Sequence, residues 1–239
     1  LKYERACAQH DSEELIDANA AASLRRLFVE TVLRMTSAAL AGTSPLVEAR
    51  KPYDIETLTE IALRVFADRG YDAASMDDVA RAAGITKASI YHHVAGKEAL
   101  LERGLRRALD ALFAVLHEPD ATSGAAVARL RHIVARVAEI TLALQPALTV
   151  LFRIRGNSDV ERDAIERRRT FDRIVTALVR DAQDAGDARG DLDAAILTRL
   201  VFGMSNSVVE WYRSGGRVAD GEIARAVVAC AFEGLLPRS

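Results

Sequence analysis

The residues from Thr86 to Lys97 carry the clearest chemistry in this chain. They comprise two lysines, two histidines, one Thr, one Ser and one Tyr, and no carboxylate. Over the wider span Asp54–Arg103 there are six Lys/Arg against nine Asp/Glu, so acids avoid this stretch rather than being scarce. A nucleic-acid backbone asks for such a stretch, with cations and donors facing closely spaced phosphates. Thr86, at the start of a short helix, suits a phosphate. Lys87, Ala88 and Ser89 fill the first turn, the part of a recognition helix that reaches base edges. Lys87 can bond a guanine, and the Ala88 methyl can touch a thymine methyl. Tyr91 and His92, a turn further on, can reach phosphate or base. Lys97 and the Ser75 hydroxyl, each at its own helix start, are expected to clamp phosphates. The alternative for Ser75 and Thr86 is that they are helix caps and nothing more. Consecutive helical positions point about 100° apart, so the His92–His93 pair predicts no metal site.

These residues need a scaffold, and the pattern around them supplies one. Leu58, Ile61, Ala62, Val65 and Phe66 recur at helical spacing, and Gly70 ends that helix in a left-handed cap. Ser75 caps the next helix, with Asp78 three residues on as an acidic capping box and Met76, Val79, Ala80 and Ala83 as its buried face. Gly84 supplies a turn into the short helix of Lys87, whose Ile90 and Val94 face inward. A further helix begins near Gly96–Lys97, and His117-Glu118-Pro119-Asp120 closes it. Helix, glycine turn and second helix form a helix-turn-helix that lays its second helix in a DNA major groove.

The remainder is helical by composition and period. Half of the 239 residues are hydrophobic, only 5% are aromatic, and there are five prolines. That predicts an all-α chain. A net charge of −2 argues against indiscriminate coating of nucleic acid, while leaving a local basic footprint open. Cys7 and Cys230 lie far apart without metal-ligand spacing, so a reduced cytoplasmic protein without a disulfide is expected. The apolar stretch Ile140–Phe152 is too short to span a bilayer, and no membrane partner is expected. Helices are predicted over 127–144, 147–155, 160–185, 193–212 and 221–235.

Residues 1–50 form an N-terminal extension. Met35 precedes a small, polar, loop-like segment, which suggests a translation start there and an over-extended reading frame before it. An intact mass that includes Leu1–Arg34 overturns that expectation. Its equal is an amphipathic extension, because Leu24, Leu27, Phe28 and Thr31 fall at helical spacing.

Residues 54–100 resemble the DNA-binding domain of TetR-type transcriptional repressors. The runs that carry the resemblance are Phe66-Ala67-Asp68-Arg69-Gly70-Tyr71, Ser75–Ala80, Ala83–Lys87, Ile90–Val94 and Lys97–Leu101. Val94, where Phe is usual, and Gly96, where Ser or Asn often caps, are mild departures. The resemblance implies a homodimer on a palindromic operator, with a three-helix DNA-binding domain over residues 51–100. It also implies a larger C-terminal helical domain over 101–239 that binds an effector and dimerises, and no enzymatic activity or cofactor.

In that larger domain, Ile196, Leu197, Leu200, Val201, Met204, Val208 and Trp211 form a wide apolar stripe, next to a last helix of small residues. The resemblance assigns this helix pair to the dimer interface, and packing within one subunit is the alternative. Val201–Arg213, together with Arg153-Ile154-Arg155-Gly156-Asn157, further resembles the TetR-type repressors of lipid, steroid and aromatic catabolism that respond to acyl-CoA. On that basis Phe152, Arg153, Arg155, Asn206, Trp211 and Arg213 are candidate effector contacts, with core packing the alternative for Trp211. Arg167-Arg168-Arg169 and Arg173 could hold an anionic head group. They read more simply as a solvated face balanced by Glu161, Asp163, Glu166 and Asp172. The rivals are a drug-exporter repressor, expected to have a carboxylate-lined pocket, and a helical-bundle enzyme or binding protein. No catalytic constellation supports the latter.

Overall fold

A computed structural model describes residues 54–212 and 219–234. The expectations placed on residues 1–50, Cys7, Met35 and Arg213 lie outside them. Among the described residues there are ten helices: α1 (Ile55–Arg69), α2 (Met76–Ala83), α3 (Lys87–Tyr91), α4 (Lys97–Val115), α5 (Pro119–Thr122), α6 (Ala126–Ala143), α7 (Gln145–Arg153), α8 (Asp159–Asp184), α9 (Ala194–Trp211) and α10 (Asp220–Glu233). The described part is all-α, as its composition predicts. No single described helix is long and apolar enough to cross a membrane.

Five of the ten described helix starts carry a side-chain cap, Ser75 and Thr86 among them as expected. Asp54, Ser75, Thr86, Ser158 and Asp193 each accept a backbone N–H of the first turn. Such caps satisfy donors that have no intrahelical partner, each contributing about 1 kcal/mol. Gly70 departs from the expected left-handed cap. Its φ of 83° and ψ of 142° lie in a region that only glycine enters readily. Pro146 does not break a helix but begins one, standing in the first turn of α7, where a missing N–H costs nothing.

The buried face of α1 is broader than its sequence stripe. Leu58, Ala62 and Phe66 are buried as expected, but Thr59 and Leu63 join them, while Ile61 and Val65 are only half-buried. The reason is that α1 is packed from two sides, by α4 and by α7. The α4 contact is close: a methyl on Gly104 would stand 2.6 Å from the Leu63 side-chain tip, so glycine lets the two helices approach this far without Leu63 having to move. Exposed ion pairs, Arg107–Glu60 at 3.1 Å and Arg103–Glu56, flank the seam.

One hydrophobic core runs through both halves of the described chain. Ile90, Leu100 and Leu101 anchor the helix-turn-helix end, and Leu148, Leu151, Phe171 and Phe202 the other. The helix α7 therefore packs the DNA-reading end and the larger bundle at once.

Candidate nucleic-acid interface and ligand cavity

The α2–α3 pair is held by a few short-range bonds. Ser75 and Asp78 form the full reciprocal box: Ser75 Oγ accepts from Asp78 N at 3.2 Å, and Ser75 N donates to Asp78 Oδ2 at 3.0 Å. Ser75 Oγ also donates to Asp78 Oδ2 at 2.6 Å, so its proton is committed within the box rather than offered to a phosphate. That hydroxyl, the Ser75 backbone and the nearby Arg69 guanidinium hold the Asp78 carboxyl below its usual range. Thr86 caps α3, and its hydroxyl lies 2.8 Å from that of Ser89, tying Ser89 back to the helix start.

Ile90 is fully buried and Val94 half-buried, which turns the opposite face of α3 outward. Thr86, Lys87, Ala88, Tyr91 and His92 are exposed there; Tyr91 is 49% exposed, unusual for a ring with no burial to repay it. His93 is exposed as well.

Two lysines differ from the sequence expectation. Lys97 Nζ donates to the carbonyls of Tyr71 and Ala74 at 2.8 and 2.9 Å and sits 4.3 Å above the Tyr71 ring. An ammonium has three protons and finds ready acceptors in the α1–α2 loop, so Lys97 fixes that loop instead of facing out as a phosphate clamp. Burial, with Glu98, Glu161 and Asp72 nearby, pushes the Tyr71 phenol up to about 12, which keeps it neutral under Lys97. Lys87 Nζ is bonded to Asp77 Oδ2 at 2.8 Å. The carboxylate-free stretch is thus not carboxylate-free in space, because α2 brings Asp77 to it from ten residues upstream.

The larger bundle holds a cavity of about 520 Å³ between α4, α6, α7, α8 and α9, a size suited to a small molecule. Leu148, Phe152, Phe171 and Phe202 supply apolar wall; Arg168, Asp172, Arg199, Asn206 and Glu210 supply polar groups. A smaller chamber of about 290 Å³, lined by Val134, Val175, Val179 and Leu197, shares Thr198 and Phe202 with it. Burial pushes the Asp172 carboxyl up, opposed by the Arg168 and Arg199 guanidinium groups.

Comparison with known proteins decides the family. Residues 58–103 match the family model for bacterial regulatory proteins of the tetR family, and residues 123–235 that of the tetracyclin repressor-like C-terminal domain. The HTH-type transcriptional repressor KstR2 of Rhodococcus jostii is 30% identical over 74% of this chain and 89% of its own. The chain belongs to the TetR family. The crystal structure of a TetR-family regulator from Streptomyces coelicolor superposes with a TM-score of 0.72 at 45% identity, covering 83% of this chain and 98% of that one. AibR, in complex with isovaleryl coenzyme A and operator DNA, shares the fold at a TM-score of 0.64 and 23% identity, covering 74% and 97%.

Within this TetR-family fold the candidate effector residues separate. Phe152 and Asn206 line the cavity. Arg153 and Arg155 instead line a groove of about 570 Å³ between the α1–α2 loop and α7–α8, together with Tyr71 and Glu161. Trp211 is 58% exposed on the outer face of α9 and lines none of these hollows. The charged face expected of α8 is also split. Arg169 and Arg173 pair with Glu166 on the surface, and Arg167 with Asp110 at 2.6 Å. Arg168 and Asp172, one turn apart, point the other way, to the cavity. Glu161 is buried at 2% exposure, its Oε2 accepting N–H groups of Arg155, Gly156 and Asn157 at 3.1, 2.9 and 3.0 Å. Sequence reading named Arg168 only as one of a run that could hold an anionic head group, set Asp172 on the solvated face and missed Arg199, because a charge alternating with apolar residues looks the same beside a cavity as beside solvent. Phe171, at i+3 from Arg168, was the available signal.

Raised by burial, Asp172 opposes folding when ionised. Below the unfolded value of 3.8 the penalty is absent, and it develops as pH rises through the folded value. Asp172→Asn is therefore expected to melt at a higher temperature than the parent at pH 7, with the gap closing near pH 4. Equal melting temperatures at pH 7 would contradict it.

Proposed function

We propose that this chain is a ligand-responsive transcriptional repressor that binds a palindromic operator as a homodimer. Residues 51–100 serve as the DNA reader, and residues 101–239 bind the effector and dimerise. The observation that carries the reading is the outward face of α3. Lys87, Ala88, Tyr91 and His92 project from one exposed surface, with the single apolar anchor Ile90 turned inward. Such a helix enters a major groove; two of them read half-sites about 34–36 Å apart. Lys87 and Ala88 are assigned to base edges, and Thr86, Tyr91 and His92 to phosphate or base. Ser75, Ser89 and Lys97 act mainly by holding the reader in shape.

The homodimer is supported by the outer face of α9. Ile196, Leu200 and Trp211 are 50%, 60% and 58% exposed, in line along one side of the helix. The small residues Ala226 and Cys230 of α10 are exposed too, a texture that permits close helix approach. Large apolar side chains aligned this way are covered in the working protein. A second copy supplies the same stripe about a two-fold axis.

The effector proposed is an acyl-CoA of lipid, steroid or aromatic catabolism, held in the α8–α9 cavity. The likeness to AibR is one of fold, and the ligand class rests on this cavity. The lining holds Arg168 and Arg199 with Asp172 and Glu210, and Glu210 is already paired with Arg153 from the neighbouring groove, which leaves two lining guanidinium groups to one carboxylate. That favours an anionic amphiphile over the hydrophobic cations of an exporter repressor, and binding linked to DNA release needs no reaction. Such a regulator works in the cytoplasm, without a membrane partner or cofactor.

The test is operator release. A duplex selected from a random pool by the purified protein is titrated with acyl-CoA thioesters and, separately, with hydrophobic cations. Release by a thioester at micromolar concentration is expected, with Arg168→Ala needing about tenfold more, the worth of a charged hydrogen bond. Release by cations alone would favour the exporter reading instead.

A further inference from the structure

One side chain bonds the DNA reader on one side and the wall of the ligand cavity on the other. Arg153 is the last residue of α7, the helix that packs both ends of the molecule. Its Nη1 donates to the carbonyl oxygen of Ala67 at 2.8 Å. Its Nη2 lies 2.9 and 3.1 Å from the two carboxylate oxygens of Glu210. Ala67 stands in the last turn of α1, where carbonyls have no intrahelical donor and a cation is favourably placed. Glu210 stands on α9 and is part of the cavity wall. A single guanidinium therefore ties the end of α1 to a group that a bound ligand would touch.

The surroundings make this link the adjustable part of the junction. The loop after Arg153 is stiff: three successive N–H groups converge on the buried Glu161 carboxylate. Its other bond to the reader, Asn157 Nδ2 to Asp72 Oδ2 at 3.2 Å, is exposed and joins a loop. The Arg153 and Glu210 side chains are 49% and 59% exposed, so their pairing contributes little to global stability. A contact with little stake in folding can be exchanged by a ligand without unfolding anything.

We propose that Arg153 is the positioning residue through which the cavity controls the DNA reader. With the cavity empty, Glu210 orients the guanidinium toward the Ala67 carbonyl and fixes the end of α1. A ligand that displaces Glu210, or offers its own anion to Arg153, withdraws that bond. The end of α1 is then free to shift, carrying the loop that Lys97 holds, and the spacing of the two recognition helices changes with it. This rests on the repressor reading above.

The test exploits the fact that Glu210 does not bond α1. Operator affinity of the ligand-free protein is measured for Arg153→Ala, Glu210→Gln and the double variant, alongside amide exchange over residues 54–83. Glu210→Gln is expected to weaken operator binding about fivefold, within the usual range of coupling between sites. It should also speed exchange at the Gly70 amide, which closes α1 on the Phe66 carbonyl. In the Arg153→Ala background the same change should do neither, because the two groups act in series. If the two losses multiply instead, or if Glu210→Gln leaves α1 exchange untouched, the coupling role is wrong and Arg153 is only a brace. A parent protein that binds no selected duplex would refute the repressor reading, and the exchange measurement would still decide the link.

Discussion

Leu200→Asp is expected to yield a monomer with an intact fold and very weak operator binding. Leu200 is the most exposed large apolar side chain among the described residues, at 60%, so a carboxylate there costs little within one subunit. In a two-fold interface the substitution appears twice. A buried anchor is worth about 2 kcal/mol or more, so the dimer should weaken by about three orders of magnitude. Operator affinity falls with it, because one recognition helix alone reads only a half-site. Sedimentation of both proteins at equal concentration, with melting curves as a check on folding, decides the matter. A dimeric Leu200→Asp protein would place the interface elsewhere.

Tyr91→Ala is the companion expectation for the DNA face. The ring is half exposed, so its removal leaves no cavity, and melting temperature should be unchanged. Loss of one base or phosphate contact typically costs about 1–3 kcal/mol, and both subunits lose it. Operator affinity should fall by about two orders of magnitude, with dimer and ligand binding as before. Unchanged titrations would remove Tyr91 from the interface. Lys97→Ala should also weaken binding, but by a different route. It frees the carbonyls of Tyr71 and Ala74 and loosens the α1–α2 loop, so its melting temperature should drop where that of Tyr91→Ala does not.

Local chemistry made the DNA-reading end legible in sequence. Ser75, Asp78, Gly84 and Thr86 each act through neighbours within a few residues and stand where their spacing puts them, and Ile90 is buried as its spacing predicts. What escaped are relations across the chain. Asp77 reaches Lys87 only because α2 and α3 cross, and Lys97 turns inward because Tyr71 and Ala74 present carbonyls to it. The cavity was harder still. Arg168 and Asp172 belong to a face that sequence periodicity cannot tell from a wet one, and Arg199 is the one cation of a mostly apolar helix. Arg153 was singled out as an effector contact, but its acceptors in the structure, 86 and 57 residues away, could not be read from sequence. The α9 stripe was read as one wide face. The structure divides it, with Val208 buried in its own bundle and Ile196, Leu200 and Trp211 left for another surface.

The Lys87–Asp77 pair has a bearing on how such a protein finds its target. Non-specific affinity for duplex DNA is almost wholly a count of cations facing phosphates. A lysine already occupied by a carboxylate of its own molecule adds little to that count. It is surrendered only where a base edge of the right pattern offers more than Asp77 does. Under the proposed reading, the carboxylate works as a toll on wrong sequences, trading some grip at the operator for less time held elsewhere on the chromosome. Against a genome of competing sites, the ratio of the two affinities sets occupancy, not the operator affinity alone.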